Sequence, residues 1–414
     1  MSAGTKISTL APFRMRYYRF QWPADLATSW AFEMETLILG WYVLVQTGSV
    51  LMLTLFGSLQ YIGTLVAPMF GVLGDRIGHR LTLCCMRAVY TTLASTLMLF
   101  SFTGVLSPVH VFIVAALMGV VRPSDQVMRY ALIGAIMPPD RLMIALGVAR
   151  TTMDSARVVG ALAGAGLVAS FGMGPAYAVI ASLYGTSLIL TLQVKPPAGK
   201  RGPVESASPW QDVKDGIAYV WTRGHLLAGM LLACLVNMTA FPLLMNLMPY
   251  VAREIYRTDQ TGLGYLVASF AAGALCGSLW MTRLGTKVRP ARAMLAFCVL
   301  WYVGIIVFAR MPTHASACMM LVLTGCVQSM GMISMSTMIL RSTGAEFRGR
   351  VMGIRMLAIY SLPFGLLAAG QLIPRFGYPF TATLYCIVGL ALTLAIALRW
   401  REHVWRVDAP ANAR

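Results

Sequence analysis

The feature that most constrains this chain is a series of long apolar segments, each able to cross about 30 Å of hydrocarbon as a helix. The segments are too long for barrel strands and do not alternate in polarity, so helices are the spanning element. The approximate bounds of the twelve segments are 20–46, 49–73, 85–106, 109–130, 142–170, 173–194, 225–251, 261–282, 292–310, 315–340, 350–374 and 377–399. The sequence therefore predicts an all-α membrane protein with twelve transmembrane helices.

One polar stretch, rich in proline and glycine, divides the segments into two groups of six. It covers residues 195–224 and ends in an amphipathic part near Trp210–Trp221. The predicted domains are an N-terminal six-helix bundle (1–194), a cytoplasmic linker with an amphipathic segment (195–224), a C-terminal bundle (225–399) and a basic cytoplasmic tail (400–414).

The chain is basic, with 33 Lys and Arg against 15 Asp and Glu, a net charge of +18. In a soluble protein this balance would suggest nucleic acid as a partner. Here 24 of the basic residues, Arg87 among them, fall in segments on the side of the N-terminus, and four fall in the opposite loops. The positive-inside rule then places both termini in the cytoplasm and accounts for the charge, so no nucleic-acid partner is expected.

The two halves of the chain resemble each other when one is shifted by 205 residues. Duplicated halves of this kind place a substrate site near the middle of the membrane, between them. The matching pairs are Arg150 and Arg355, Gly160 and Gly365, Leu167 and Leu372, and Phe171-Gly172 and Phe376-Gly377.

The loop between the second and third segments carries the most specific motif. It reads Gly71-Val-Leu-Gly74-Asp75-Arg76-Ile-Gly78-His79-Arg80. The glycines allow close helix packing, and Asp75 can bind a cation or a helix N-terminus. The motif resembles the G-x-x-x-D-R-x-G-R-R loop of the major facilitator superfamily, with His79 in the first basic position. The resemblance covers the whole chain and implies alternating access, with a gate formed by this loop. The implied gate residues are Gly71, Gly74, Asp75, Arg76, Gly78 and Arg80, to which we add Arg129.

Two further stretches resemble one branch of that superfamily, which contains enterobactin exporters and macrolide efflux pumps. They are Pro138-Pro139-Asp140-Arg141 and the segment from Glu346 to Gly353. A third stretch, Gly160-Ala161-Leu-Ala-Gly164-Ala-Gly166, is similar to the antiporter motif G-P-x-x-G-G, although Ala161 replaces the proline. The basic residue of the related pattern A-R-x-x-G-P falls on Arg157.

Ionisable residues inside apolar segments are costly and are therefore candidate functional residues. The first segment carries Asp25, Glu33 and Glu35. Glu33 shares a helix face with small and polar residues, which suits a water-filled cavity, whereas Glu35 points about 200° away from it. We predict that Glu33, or alternatively Glu35, couples transport to protons or contacts substrate. The competing interpretation is simple pairing with an embedded arginine.

The fourth and fifth segments carry Arg122, Asp125, Arg129, Asp154 and Arg157. Spacings of three and four residues place partners on shared helix faces. We expect Arg122 to lie near an acid and tune its affinity for protons, and Asp125 and Arg129 to join Asp75 in the gate. The alternative is a static ion-pair network that holds the N-terminal half together.

The C-terminal half has almost no embedded charge beyond Arg355 and instead carries neutral polar groups and many methionines. Seven methionines are interpreted as an adaptable wall for amphipathic ligands, or less favourably as a Cu(I) route. They are Met238, Met245, Met248, Met330, Met332, Met335 and Met338. The predicted cavity residues of both halves are Trp30, Tyr61, Asn237, Asn246, Gln328 and Tyr360.

The sequence thus predicts a secondary transporter, not an enzyme, that exports a small amphipathic compound such as a drug or siderophore in exchange for protons. It has no P-loop, so the proton gradient is the expected energy source and no cofactor or metal is expected. Alternatives are a proton symporter importing an anionic or nutrient solute, a lysolipid flippase, and a non-transporting sensor. The expected setting is the bacterial inner membrane, as a monomer in the lipid bilayer.

Overall fold

The computed structural model describes residues 11–64, 67–195, 209–284, 288–344 and 347–401, and within them the regular secondary structure is helical, with no strand. The α-helices are α1 (Tyr18–Thr47), α2 (Val50–Leu59), α3 (Ala67–Ile77), α4 (His79–Phe102), α5 (Pro108–Ile136), α6 (Pro139–Phe171), α7 (Met173–Leu192), α8 (Pro209–Trp221), α9 (Gly224–Thr239), α10 (Phe241–Met245), α11 (Met248–Tyr250), α12 (Gln260–Leu284), α13 (Pro290–Phe308), α14 (His314–Arg341), α15 (Arg348–Leu357), α16 (Ser361–Phe376) and α17 (Tyr378–Arg399).

Eight helical stretches of the described chain are long and apolar enough to cross a membrane, and a ninth results if the bent pair α8 and α9 forms one span. The eight are α4, α5, α7, α12, α13, α14, the stretch Arg350–Phe376 and α17. The helices α1 and α6 are also long, with 30 and 33 residues, but they carry the embedded acids and arginines that lower their hydropathy.

Three of the predicted segments are interrupted. Segment 49–73 is divided between α2 and α3, 225–251 between α9, α10 and α11, and 350–374 between α15 and α16 with a 3-10 turn at Ala358–Tyr360. Pro242 and Pro249 lie in the first turns of α10 and α11. A proline nitrogen has no hydrogen to donate to the preceding turn, which explains these two breaks.

The described residues belong to two compact units. Unit 1 comprises Met1–Leu39 and Ile62–Val204, and unit 2 comprises Gly40–Tyr61 and Glu205–Arg414. The end of α1 and all of α2 therefore belong to unit 2, although they precede residue 194. Their partners within that unit explain this: the Gly370 backbone packs against Thr54, Gly57 packs against Asn246, and Arg253 donates to the carbonyl of Leu44 at 2.8 Å.

The duplication seen in the sequence is repeated in the backbone of the two units. Gly172 ends α6 with φ 80°, and Gly377 ends α16 with φ 79°. In both cases the glycine N–H donates to a carbonyl four residues earlier, and the next helix begins at the following residue. Both glycines have extended ψ values of −175° and 163°, a region that essentially only glycine adopts.

Candidate functional site

The helix α1 supplies three acids to unit 1, and each has different partners. The 30-residue helix continues through Pro23, which lies within its second turn. Asp25 and Glu35 are almost fully buried, whereas the Glu33 side chain remains 30% exposed. As the 200° separation of Glu33 and Glu35 predicts, these two side chains lie on different sides of the helix.

The first site is a cluster of four buried charges, Asp25, Arg87, Asp125 and Arg129, which we call the charge cluster. Asp25 on α1 forms an ion pair with Arg87 on α4 and lies 3.7 Å from the Arg129 guanidinium on α5. Arg129 also pairs with Asp125, one turn before it on α5. The exposed fraction of these residues is 0 to 7%. The two positive and two negative charges balance, as burial of ions requires.

Hydrogen bonds from neutral groups complete the charge cluster. The Gln21 side-chain amide donates to Asp25 at 2.8 Å, and Arg129 donates to Ser29 Oγ at 2.9 Å. Arg87 donates to Thr191 Oγ1 on α7. The charge cluster thus connects α1, α4, α5 and α7, an arrangement that favours the static interpretation, in which buried charges hold the helices of unit 1 together.

Arg87 corrects the prediction from the sequence. The positive-inside argument places it among the cytoplasmic loop residues, but it lies inside α4 and its exposed fraction is 0%. The helix begins at His79, six residues before the predicted segment, because Gly78 with φ 99° forms the turn that precedes it. The sequence does contain a signal, since Arg87 falls inside the predicted segment 85–106 and Asp25 is an embedded acid that requires a partner.

The second site surrounds Glu35. The hydroxyl of Tyr184 on α7 donates to Glu35 Oε2 at 2.9 Å. The other carboxyl oxygen, Oε1, is buried and has no hydrogen-bond partner among the described residues. A carboxylate oxygen left without a donor is costly in a protein interior, whereas a protonated carboxyl or a bound water removes that cost. The environment of Glu35 therefore suits a group that binds a proton.

Arg122 on α5 lies beside this second site. It donates to Thr36 Oγ1 at 2.9 Å, and its guanidinium carbon lies 4.2 Å from the centre of the Phe32 ring. Phe32 packs edge-on against Tyr184, with ring centres 5.8 Å apart. Arg122 is thus close to Glu35, and its charge acts on that carboxyl. The sequence predicts an acid near Arg122, and Glu35 occupies that position.

The third site is a more accessible ion pair between α1 and α6. Arg157 Nε lies 3.5 Å from Glu33 Oε1, and the side chains are 37% and 30% exposed. Gly160, one turn after Arg157, is so close to α1 that an added Cβ would lie 2.7 Å from Glu33 Cβ. Asp154 on α6 pairs with Arg150 at 3.1 Å.

The residues of the predicted gate loop surround the junction of α3 and α4. Gly74 is buried against Met128 of α5, while Arg76 is exposed. Arg80 donates to the carbonyl of Leu192 at the end of α7. The backbone of Gly71 and Asp75 belongs to α3, and the surroundings of these two residues lie outside the described part of the chain. Arg129 has its partners on α1 and α5, in the charge cluster.

The predicted cavity residues include several buried polar atoms without partners. Within the described residues, no hydrogen bond reaches Trp30 Nε1 in unit 1, or Asn246 Oδ1 and the Tyr360 hydroxyl in unit 2. Asn237 donates to the carbonyl of Ala233 on its own helix, and Gln328 is 9% exposed. Tyr61 is half-buried at the end of the segment that joins unit 2. Unpaired buried groups of this kind can bind water or a ligand.

The seven methionines of the predicted adaptable wall have different surroundings. Met248, Met335 and Met338 are fully buried among the helices of unit 2, so they contribute to its core. Of the seven methionines singled out in the sequence, only Met238 is substantially exposed. Within the described residues, no group of three or more His, Cys, Asp or Glu side chains is placed to hold a metal ion.

Comparison with known proteins identifies the family of this chain. A major facilitator family model described as transmembrane secretion effector matches residues 7–412. The chain belongs to this family. This major facilitator protein is thus a multi-pass membrane transporter and not an enzyme. A comparison with curated protein sequences finds no match.

Solved structures of transporters share the major facilitator fold with this chain. An auto-inhibited POT family peptide transporter aligns with a TM-score of 0.71 and 12% identity, covering 93% of this chain and 97% of that one. The inward-open xylose transporter XylE from E. coli gives 0.69 and 11%, covering 92% and 95%. The human organic anion transporter MFSD10 gives 0.65 and 14%, covering 92% and 99%. At these identities, the likeness establishes the fold alone.

Proposed function

We propose that this transporter exports a small amphipathic compound, such as a drug or a siderophore-like molecule, in exchange for protons. It works by alternating access, as a monomer in the bacterial inner membrane with both termini in the cytoplasm. The proton gradient supplies the energy. The export direction is supported by the efflux-like motifs of the sequence and by the secretion description of the matching family.

The observation that carries this proposal is the placement of the acids of α1. Glu35 is buried with one carboxyl oxygen unpaired, and Glu33 is held by Arg157 at a partly exposed position. A proton that neutralises Glu33 frees Arg157, and loss of that proton restores the pair. The presence or absence of a proton on Glu33 thereby determines whether α1 and α6 are joined by this ion pair.

The roles assigned to the charges of unit 1 follow from their burial. Glu33 and Arg157 are the accessible pair and therefore the exchanging one, with Glu35 and Arg122 as a buried proton site. Asp125 and Arg129 belong to a balanced network and hold the helices together. Asp154 with Arg150 stabilises α6. Each unit has its own candidates for contacts to the substrate, Trp30 in unit 1 and the unpaired polar atoms of Asn246 and Tyr360 in unit 2.

The direct test is proton movement in proteoliposomes that contain the purified protein and a pH-sensitive dye. A panel of drugs, siderophores, sugars and lipids is first screened by thermal shift. Each hit is then added to the vesicles, and an exported amphipathic compound should drive protons in the opposite direction. Uphill transport that continues unchanged without a pH gradient or membrane potential would refute the antiport.

Glu33→Gln tests the assigned residue. The amide keeps the shape of the side chain but binds no exchangeable proton, so we expect substrate-driven proton flux to be lost while substrate binding remains measurable. The matched control is Glu254→Gln, which neutralises an acid of unit 2 that is 48% exposed and paired with Arg253. Uphill transport at the wild-type level by the Glu33 variant would disprove the coupling role.

The same vesicles distinguish the other functions that the sequence left open. Proton flux in the same direction as the substrate would indicate a symporter that imports an anionic or nutrient solute. Movement of fluorescent lysolipids, with no response to aqueous drugs, would indicate a flippase.

A further inference from the structure

The helix α8 does not continue the helix that follows it. The directions of α8 and α9 differ by 111°, which is 21° from a right angle. Only Thr222 and Arg223 separate the two helices, and α9 contains no Asp, Glu, Lys or Arg. Because α9 begins the apolar segment 225–251 that is predicted to span the membrane, this angle directs α8 away from the axis of that segment.

One face of α8 is fixed to the rest of unit 2. Tyr219 stacks on Phe347 with ring centres 4.2 Å apart, and its hydroxyl accepts a hydrogen bond from the Gly344 N–H at 3.1 Å. Gly216 packs against Ile354 of α15, and Val220 is 4% exposed. These contacts hold α8 against the connection between α14 and α15, so its orientation about its own axis is determined.

The opposite face of α8 presents apolar side chains outward. Lys214, Ile217 and Trp221 lie three to four residues apart and therefore on one side of the helix. Ile217 is 45% exposed and Trp221 is 71% exposed. We call these three residues the outer face of α8. An apolar isoleucine and tryptophan facing water would be unfavourable, whereas tryptophan is enriched at membrane interfaces.

We propose that α8 is an interfacial helix whose outer face lies in the headgroup region of the bilayer. An amphipathic helix with tryptophan on its apolar side and lysine at the edge has the chemistry of such surfaces. The lipid surface is continuous with the membrane that α9 enters two residues later, so the outer face is already at the correct depth. The inner face of the same helix then connects the lipid surface to the start of α15.

This inference does not rest on the proposed transport reaction, and fluorescence quenching tests it directly. The full-length protein and the variant Trp221→Phe are reconstituted into vesicles. The difference between their emissions isolates Trp221 from the other eight tryptophans of the chain. We expect most of this difference to be quenched by lipids brominated near the headgroup end of the acyl chain, and little of it by aqueous acrylamide.

Two further variants make the test independent of Trp221 alone. Trp280→Phe removes a 59%-exposed tryptophan near the end of the long apolar helix α12 and provides the reference for a tryptophan on a membrane-spanning helix. The double variant Trp221→Phe with Ile217→Trp moves the indole one turn along the outer face, and we expect it to regain the lipid-quenched emission. Emission quenched by acrylamide but not by brominated lipid would place the outer face in water or against another protein and overturn the proposal.

Discussion

Units 1 and 2 share a helical framework but stabilise it differently. Both end a long helix at an extended, positive-φ glycine, Gly172 or Gly377, and both bring a glycine of the preceding helix against a neighbour, Gly160 against Glu33 and Gly365 against Met238. Glu33 and Met238 are themselves 205 residues apart. The two units therefore share these backbone features, whereas their side chains at equivalent positions differ.

The difference between equivalent side chains of the two units is largest at the charge cluster of unit 1. The 205-residue shift places Met230, Met330 and Ser334, all buried, at the positions of Asp25, Asp125 and Arg129. The buried polar residues described for unit 2 are neutral. Because the shared framework packs with methionines and a serine in unit 2, the four ions are specific to unit 1, where they connect α1, α4, α5 and α7.

The largest expected effect comes from Arg87→Met. Removing this guanidinium leaves Asp25 buried without its main partner, which we expect to lower the free energy of unfolding by about 3–5 kcal/mol. The control is Arg292→Met, 205 residues later on α13, where the side chain is exposed and the loss should stay within about 0.5 kcal/mol. The measurement is denaturant-induced unfolding in detergent micelles.

A combined variant sharpens this result. Replacing Asp25, Asp125 and Arg87 with Met and Arg129 with Ser removes all four charges of the cluster at once. We expect it to lose less stability than Arg87→Met alone, because no unpaired ion is left in the interior. A combined loss equal to the sum of the single losses would show that unit 1 depends on each ion pair for its stability.

Substitution of the helix-ending glycines tests the shared framework. An added Cβ at Gly172 meets no neighbour, and one at Gly377 meets only Pro379 at 3.8 Å, so the cost is conformational. We expect Gly172→Ala and Gly377→Ala each to lower the unfolding free energy by about 1–3 kcal/mol. Unequal losses in the same micelle assay would contradict the equivalence of the two units.

Two buried tyrosines form hydrogen bonds with different partners, one with an acid and one with a neutral hydroxyl group. Tyr184 donates to Glu35 in unit 1, while Tyr302 shares a 2.7 Å hydrogen bond with Thr239 in unit 2. A hydrogen bond to a charged acceptor contributes about 1.5–3 kcal/mol and one between neutral groups about 0.5–1.5 kcal/mol. Tyr184→Phe should therefore cost more than Tyr302→Phe in thermal unfolding, and equal costs would mean that Glu35 is neutral at the pH of the assay.

The smallest effect concerns the arginines of the duplicated pair. Arg150 forms a pair with Asp154 on its own helix and its side chain is 60% exposed, whereas Arg355 donates to Ser336 at 2.6 Å. We expect Arg150→Gln to cost about 0.5 kcal/mol and the loss to disappear at high salt. A loss at Arg150 that is unchanged at high salt would refute the assignment of Arg150 and Asp154 as an exposed ion pair.

Hydropathy predicted most of the helices because each long apolar run must satisfy its own backbone in lipid. It did not predict the breaks within 49–73 and 225–251, since the few polar residues there, such as Gln60 and Asn246, hardly change the average hydropathy of a long apolar run. The start of α4 was predicted too late because Gly78 begins the helix inside a polar stretch. Local chemistry, not average polarity, sets these boundaries.

In the charge sites, the sequence predicted only the relations between residues of the same helix. Spacing within a helix indicated Asp125 with Arg129 and separated Glu33 from Glu35. The pairing of Asp25 with Arg87 joins residues 62 positions apart, and the bond from Tyr184 to Glu35 joins residues 149 apart. One sequence contains no periodic signal for such contacts, because they depend on which helices become neighbours.

The inclusion of Gly40–Tyr61 in unit 2 has a consequence for dividing the gene. The chain passes between the units after Leu39, after Tyr61 and again in the linker, so the linker is not the sole covalent crossover. A fragment that starts after the linker lacks α2, against which Gly370 packs, and contains an incomplete unit. A gene divided at the linker should therefore give a functional protein only when both fragments are made in the same cell. We do not expect either fragment to fold into a complete unit alone.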